Sequence, residues 1–471
     1  MEKSKLIVLL RSFAPSELKR FREFVASPYF NKNADLLRLI EYLERSAPDF
    51  IGPKVSKERV FQHLFPKQTF DSQVLGHLMN YLLRLGERFL ALQRYEQEEE
   101  LIQCHTLDQY VDRKLTKHYN YLLRKASKAI TESESKNGES YYYQYLMGKA
   151  AANHFYSLQV RKFDPSLQTV SDQLDKFYFF QKLRYSCEML NRQTIIRAEY
   201  ELNFVDEVQE HLLQAKEVDP LIEIYLRIYL SIKDAEEEGH FKKLLQLIET
   251  HGHTIDQKIK REIYLYAINF CAPKIRKGVG AYTSIMLDLY TKGIQTRALF
   301  SGDYLSHWTY SNVVKLALRL KRYEWTENFI KEQSINLSPE VREGAEYYNL
   351  AELYYHQDAY DKVLDQLNML QLFDPHHHLG SRVILLKTYY ALEAEEPLLS
   401  LLSSFSVYLR RNRQISAAMK KTYLNFCNLF HQIMRRNPKK WEALGEEIQQ
   451  TQPLAERAWL LQLWKERPVY S

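Results

Sequence analysis

The sequence predicts an all-α protein built from stacked helical hairpins, and three observations predict it. Chain breakers are scarce, with 14 Gly and 14 Pro among 471 residues, against average usage of roughly 7% and 5%. Apolar residues recur at helical spacing: Tyr347, Leu350, Ala351 and Tyr354 fall at i, i+3, i+4 and i+7 and share one helix face. The pattern also repeats along the chain. Tyr310, Val313, Val314 and Ala317 lie 37 residues before that set, and Leu385, Leu386 and Tyr389 lie 35 residues after Leu350, Ala351 and Tyr354. A period of about 34 residues is characteristic of helical-hairpin arrays.

The first 105 residues read as a helical segment that does not follow the later repeat. Ser16 is placed to cap a helix with the stripe Leu18, Phe21, Phe24 and Val25, ended by Ser27-Pro28. Tyr29 and Phe30 are expected to tuck both rings under it. Asn33 or Asp35, Ser56, and Asp71-Ser72 are candidate caps for three further helices. The last of these helices ends in the acidic run Glu96 to Glu100, read as a solvated helix face or a metal or protein contact.

Residues 106–300 predict irregular hairpins. Tyr141, Tyr142, Tyr143 and Tyr145 form the densest aromatic cluster. It reads either as a platform for stacking a base or sugar or as the two flanks of a buried helix, with the second reading favoured. Phe177 to Phe180 invites the same two readings. Ile222, Tyr225, Leu226 and Tyr229 pair with Phe241, Leu244, Leu245 and Ile248 across a turn at Glu236 to Gly239. Helices Ile259 to Cys271 and Tyr282 to Tyr290 are expected to join through Pro273 and Gly278-Val279-Gly280. That glycine pair lacks the GxxxxGK[ST] pattern of a phosphate loop.

Residues 301–405 carry the regular repeats, and 406–471 are expected to form basic and capping helices. In the clearest unit, Val363, Leu367 and Leu370 supply the second apolar face after a break at His356 to Ala359, with a helix stop near Asp374-Pro375. Leu367→Asp is expected to unfold the neighbouring hairpins. A C-terminal helix with Trp459, Leu460, Leu463 and Trp464 is expected to cover the last repeat, because an open repeat exposes its apolar face.

Tyr347 to Pro375 resembles tetratricopeptide (TPR) hairpins at the aromatic, Leu, small, Tyr and terminal Pro positions. The resemblance implies a TPR-like solenoid, a right-handed α-α superhelix, here with an N-terminal helical cap. Val314, Ala351 and Leu386, and Thr326, Val363 and Leu398, stand where that family favours glycine or alanine, and Arg382 stands where an aromatic is expected. A second resemblance rests on Phe13, Glu17-Leu18, Phe21, Phe24, Ser27 to Asn31, Lys182 to Tyr185, Glu188 to Arg192 and Tyr408 to Asn412. These residues are similar to a family of bacterial helical-repeat proteins of no assigned activity. That likeness implies one evolutionary unit rather than a repeat domain attached to an enzyme.

Chemistry-bearing motifs are scarce. HExxH, GxSxG, a kinase-like set and a Rossmann fingerprint after a strand are all missing, so no enzymatic activity and no cofactor are expected. Cys104, Cys187, Cys271 and Cys427 are far apart without CxxC, which fits a reducing compartment. The apolar run Leu6 to Leu10 is too short for a signal-peptide core, and no stretch approaches 18 apolar residues. A soluble cytoplasmic protein without membrane contact is expected. His376, His377 and His378 with Asp374 are the best metal candidates, although a polar loop after Pro375 accounts for them as well.

Charge gives the strongest functional signal. Net charge is only +6, yet between Ser406 and Trp441 the chain carries Arg410, Arg411, Arg413, Lys420, Lys421, Arg435, Arg436, Lys439 and Lys440 with no acidic residue. Such a segment suits an acidic protein or peptide partner, or phosphates. A solvated face with basic residues at a helix C-terminus explains it too. The function expected is a protein-protein interaction scaffold or adaptor. The alternative is an RNA- or DNA-binding repeat protein.

Overall fold

A computed structural model of the chain describes residues 1–132, 137–196, 199–370, 375–435, 437 and 440–466, with side chains throughout except at 131, 132, 194–196 and 375–378. These residues are helical apart from turns and one short antiparallel ribbon, Phe300–Ser301 with Tyr304–Leu305. They form two compact units, Met1–Glu134 with Gly138–Tyr178, and a second made chiefly of Phe179–Ser471. The division falls inside the helix Pro165–Ile196.

In the first unit, helices Lys5–Arg11, Pro15–Ala26, Ala34–Glu44, Lys57–Leu64 and Ser72–Glu96 close around a core running from Leu6 to Phe89. Phe13 meets Phe21 at 5.5 Å and Phe89 at 5.8 Å, edge to face. Each such pair contributes about 1 kcal/mol beyond its buried area. Three caps form as their residue types dictate. Asn33 Oδ1 accepts the Asp35 N–H at 2.8 Å, Ser56 Oγ the Arg59 N–H at 3.4 Å, and Asp71 Oδ1 the Gln73 N–H at 2.7 Å. Ser16 is not a cap. The helix opens one residue earlier at Pro15, which has no N–H to satisfy, and Glu17 Oε2 accepts the Ala14 N–H at 2.9 Å.

Phe30 stacks on Phe24 at 4.1 Å, but Tyr29 is 83% exposed, because Asn31 Nδ2 donates to the Val25 and Asn33 carbonyls and fixes a turn that sends Tyr29 outward. The acidic run is not one face. A helix ends at Glu96, and Glu99 and Glu100 open the next, Glu99–Asp112, where carboxylates complement the helix dipole. That helix packs with Thr116–Glu132 and Gly138–Ser157 around Cys104, Leu107, Tyr119, Tyr143 and Met147. Tyr141 and Tyr143 are buried, Tyr145 is half-buried and Tyr142 is exposed, so the cluster is divided between core and surface and does not present four rings to solvent.

The second unit is a succession of hairpins packed in sequence order. The pairs are Pro220–Lys233 with Glu238–His251, Gln257–Arg276 with Ala281–Gln295, and His307–Arg319 with Tyr323–Gln333. Then follow Pro339–His356 with Tyr360–Met369, Pro375–Ala391 with Glu395–Arg411, and Ala417–Arg435 with Trp441–Gln450, before a last helix Arg457–Glu466. The repeat register is physical. Val314, Ala351 and Leu386 are fully buried, and so are Thr326, Val363 and Leu398. The Thr326 hydroxyl is satisfied by donating to the Arg322 carbonyl at 2.7 Å.

The most regular unit buries more than one stripe. Tyr348, Asn349 and Leu353 are buried on flanks outside the predicted face, while Tyr347 is only half-buried. A first helix here touches its own partner and also first helices of adjacent hairpins. Asn349 Nδ2 makes that contact polar, donating to Ser311 Oγ at 3.1 Å. Gly380 lets Tyr348 approach: a Cβ there would lie 2.6 Å from the Tyr348 hydroxyl oxygen. Leu367 is half-buried, whereas Val363 is fully buried, so Val363→Asp is the sharper disruption.

Pro273 lies inside Gln257–Arg276 and not in a connection. Residues 376–378 begin the helix Pro375–Ala391 and are not in a loop. The histidine side chains and Asp374 lie outside the described residues.

Candidate interaction site

The basic segment folds into two separate groups. Arg410 and Arg411 end the helix Glu395–Arg411, and Lys420 and Lys421 occupy the first turns of Ala417–Arg435, which packs against it. Arg413 lies in the five-residue connection, so five cations gather where one hairpin passes to the next. The connection is held rigid. Ile415 is buried, Asn412 Nδ2 donates to the Tyr408 hydroxyl at 2.8 Å, Asn412 Oδ1 accepts the Gln414 N–H at 2.8 Å, and Ser416 Oγ accepts the Met419 N–H at 3.3 Å. Arg410, Arg411, Arg413 and Lys421 are exposed and Lys420 half-buried. Among the described residues none of the five side chains makes an ion pair or hydrogen bond.

Arg435 ends the same helix. It lies 14 residues beyond Lys421, about 21 Å at the α-helical rise, and Lys440 adjoins it across a short connection. Arg436 and Lys439 lie outside the described residues. The seven described charges therefore do not form one surface. Arg382, standing where an aromatic was expected, places its guanidinium 5.0 Å from the Tyr408 ring and 5.8 Å from the Phe405 ring. It thereby fills an interhelical site through cation-π contact, and burial moves its pKa below the ordinary arginine value.

A second charged group, not anticipated from the sequence, is closed on itself. Lys387 Nζ bonds Glu456 Oε2 at 2.9 Å and lies over the rings of Tyr355 at 4.6 Å and Trp459 at 5.7 Å. Trp459 in turn packs on Phe430 at 5.1 Å and Tyr390 at 5.8 Å. The expected C-terminal helix is thus seated on Pro375–Ala391 and Ala417–Arg435, with Leu460 and Leu463 buried. Its other tryptophan, Trp464, donates Nε1–H to the Trp441 carbonyl at 2.8 Å and packs where Gly445 has no Cβ. The missed signal was Lys387 itself, a charge directly after the apolar run Val383 to Leu386.

The motif Lys182 to Arg192 also builds a closed network. Arg184 holds Glu262 bidentately at 2.9 and 2.5 Å, Tyr225 donates to Glu262 at 2.9 Å, and Tyr266 donates to Glu188 at 3.3 Å. Burial, then the Glu262 charge, pushes the Tyr225 hydroxyl well above its ordinary pKa, so it stays protonated and donates. The adjoining cleft of about 360 Å³, lined by Arg184, Glu188 and Glu262, has these charges already paired.

The four cysteines are buried and free. Burial pushes Cys104 and Cys427 up to about 11 and Cys271 to about 12, and Cys187 well above its ordinary value. The thiols are therefore protonated near neutral pH and poor nucleophiles. Among the described residues no group of three or more His, Cys, Asp or Glu side chains is placed to hold a metal ion, and no helix is long and apolar enough to cross a membrane. Compared with known proteins, the chain matches no family model, no curated protein and no solved structure.

Proposed function

We propose that the chain is a non-enzymatic scaffold whose hairpins stack as a TPR-like, right-handed solenoid and whose basic hairpin end docks an acidic segment of a partner protein in the cytoplasm. The observation that carries this reading is the set Arg410, Arg411, Arg413, Lys420 and Lys421: five cations in and beside one hydrogen-bonded connection, with no acceptor of their own among the described residues. A pre-ordered turn loses little entropy on binding, and cations without internal partners attract a complementary chain. The nucleic-acid reading is the weaker one, because Tyr141 and Tyr143 of the tyrosine cluster are core and the described cations are divided.

Titration of the full chain with a labelled oligoglutamate peptide and with single-stranded oligouridylate, each across a salt series, tests the proposal. The peptide is expected to bind at low salt and the RNA more weakly. Tighter RNA binding with a steep salt dependence would replace the acidic-protein reading with the nucleic-acid one.

A further inference from the structure

Away from the basic turn, a cleft of about 470 Å³ opens where Glu238–His251, Gln257–Arg276 and Ala281–Gln295 meet. Its apolar lining is Leu245, Ile248, Ile285 and Leu289. Lys260 also lines it and is only 7% exposed. Among the described residues no hydrogen bond or ion pair engages the Lys260 ammonium group. The carboxylates nearby do not serve it: Glu249 is taken by Lys292 at 3.0 Å, and Asp288 is exposed and unpaired with it. The Lys260 stem is buried while its ammonium group has no acceptor of its own, and the residue borders a space of small-molecule size with apolar walls.

We propose that the cleft binds a small amphipathic monocarboxylate, its acid group on Lys260 and its apolar body between the helices. Of the two lysines on the lining, Lys292 is paired with Glu249, which leaves Lys260 as the one cation without an acceptor, and Asp288 on the same lining disfavours a phosphate dianion. This site is independent of the acidic-partner reading and survives its failure.

The test uses octanoate, octanol and octylamine as probes of equal chain length, read by the methyl NMR signals of Ile248 and Ile285 in the full chain. Octanoate is expected to shift both signals saturably, octanol more weakly, and octylamine least. Lys260→Met is expected to weaken octanoate about tenfold or more, the scale of a lost charge-assisted hydrogen bond, without changing octanol binding. Equal binding of octanoate and octanol to the unaltered chain, or no saturable octanoate shift, would overturn the proposal. That comparison needs no variant, so it decides the matter even if Lys260→Met folds poorly. Octanoate binding undiminished in a folded Lys260→Met protein would overturn it equally.

Discussion

Lys260 and Lys274 sit near opposite ends of one helix, Gln257–Arg276, and are 7% and 6% exposed, yet their surroundings differ. Lys274 Nζ lies 3.2 Å from Glu236 and 3.9 Å from Glu238, with the Phe270 ring 5.9 Å away. Lys260 has no acceptor and faces a cleft. Lys387 repeats the first arrangement, held by Glu456 and two aromatic faces. Where the chain supplies the acceptor, a buried cation stabilises its own hairpins. Where it does not, the cation remains available to something else, and the five cations at the 411–417 turn extend that logic to the surface.

The sharpest way to break this distinction is to strip a closed site. Trp459→Ala removes the ring that covers Lys387 and joins Tyr390 to Phe430, and should lower unfolding free energy by about 3 kcal/mol in urea titration. Glu456→Gln should cost about 2 kcal/mol by leaving Lys387 without its counter-charge. Adding Lys387→Met should recover much of that loss, since the pair then disappears together. If the double variant were no better than the single one, the Lys387–Glu456 contact would not be the source.

Acid titration probes the Lys274 end. Lys277 and Lys274 hold the Glu236 carboxyl below its ordinary value of 4.5. Its folded pKa is therefore lower than its unfolded one, so its contribution is complete above 4.5 and is lost as pH falls through the lower folded value. Thermal melts from pH 6 downward should show a shallower acid loss in Glu236→Gln than in the unaltered chain. An identical pH profile would mean that the ion pairs contribute nothing. Lys260→Met should have the smallest effect, within about 0.5 kcal/mol of the unaltered chain or slightly stabilising. A loss as large as that of Glu456→Gln would show that Lys260 has an acceptor after all.

Legibility in the sequence followed the range of the interaction. Asn33, Ser56 and Asp71 were readable as caps because a cap is satisfied two or three residues away. Val314, Ala351 and Leu386 were readable as a register because periodicity records burial. Tyr348 and Asn349 were not, because what buries them comes from other hairpins, such as Ser311, 38 residues away. Lys387 and Glu456 are 69 residues apart, and nothing local links them. The ribbon around Gly302 pairs only two residues per strand, too few to show alternation. The basic segment misled in the other direction: its charges are continuous in sequence, but a 19-residue helix carries them to opposite ends.

The most direct measurement is fluorescence anisotropy of the oligoglutamate peptide against three forms of the full chain at low salt. These are the unaltered protein, a variant with Arg410, Arg411, Arg413 and Lys421 changed to Ser, and a control with Arg435 and Lys440 changed to Ser. All four residues of the first set are exposed, so both variants should keep the melting temperature of the parent. The first variant should lose binding about tenfold or more, while the control stays near the parent. Equal loss in both variants, or none in the first, would contradict docking at the 411–417 turn.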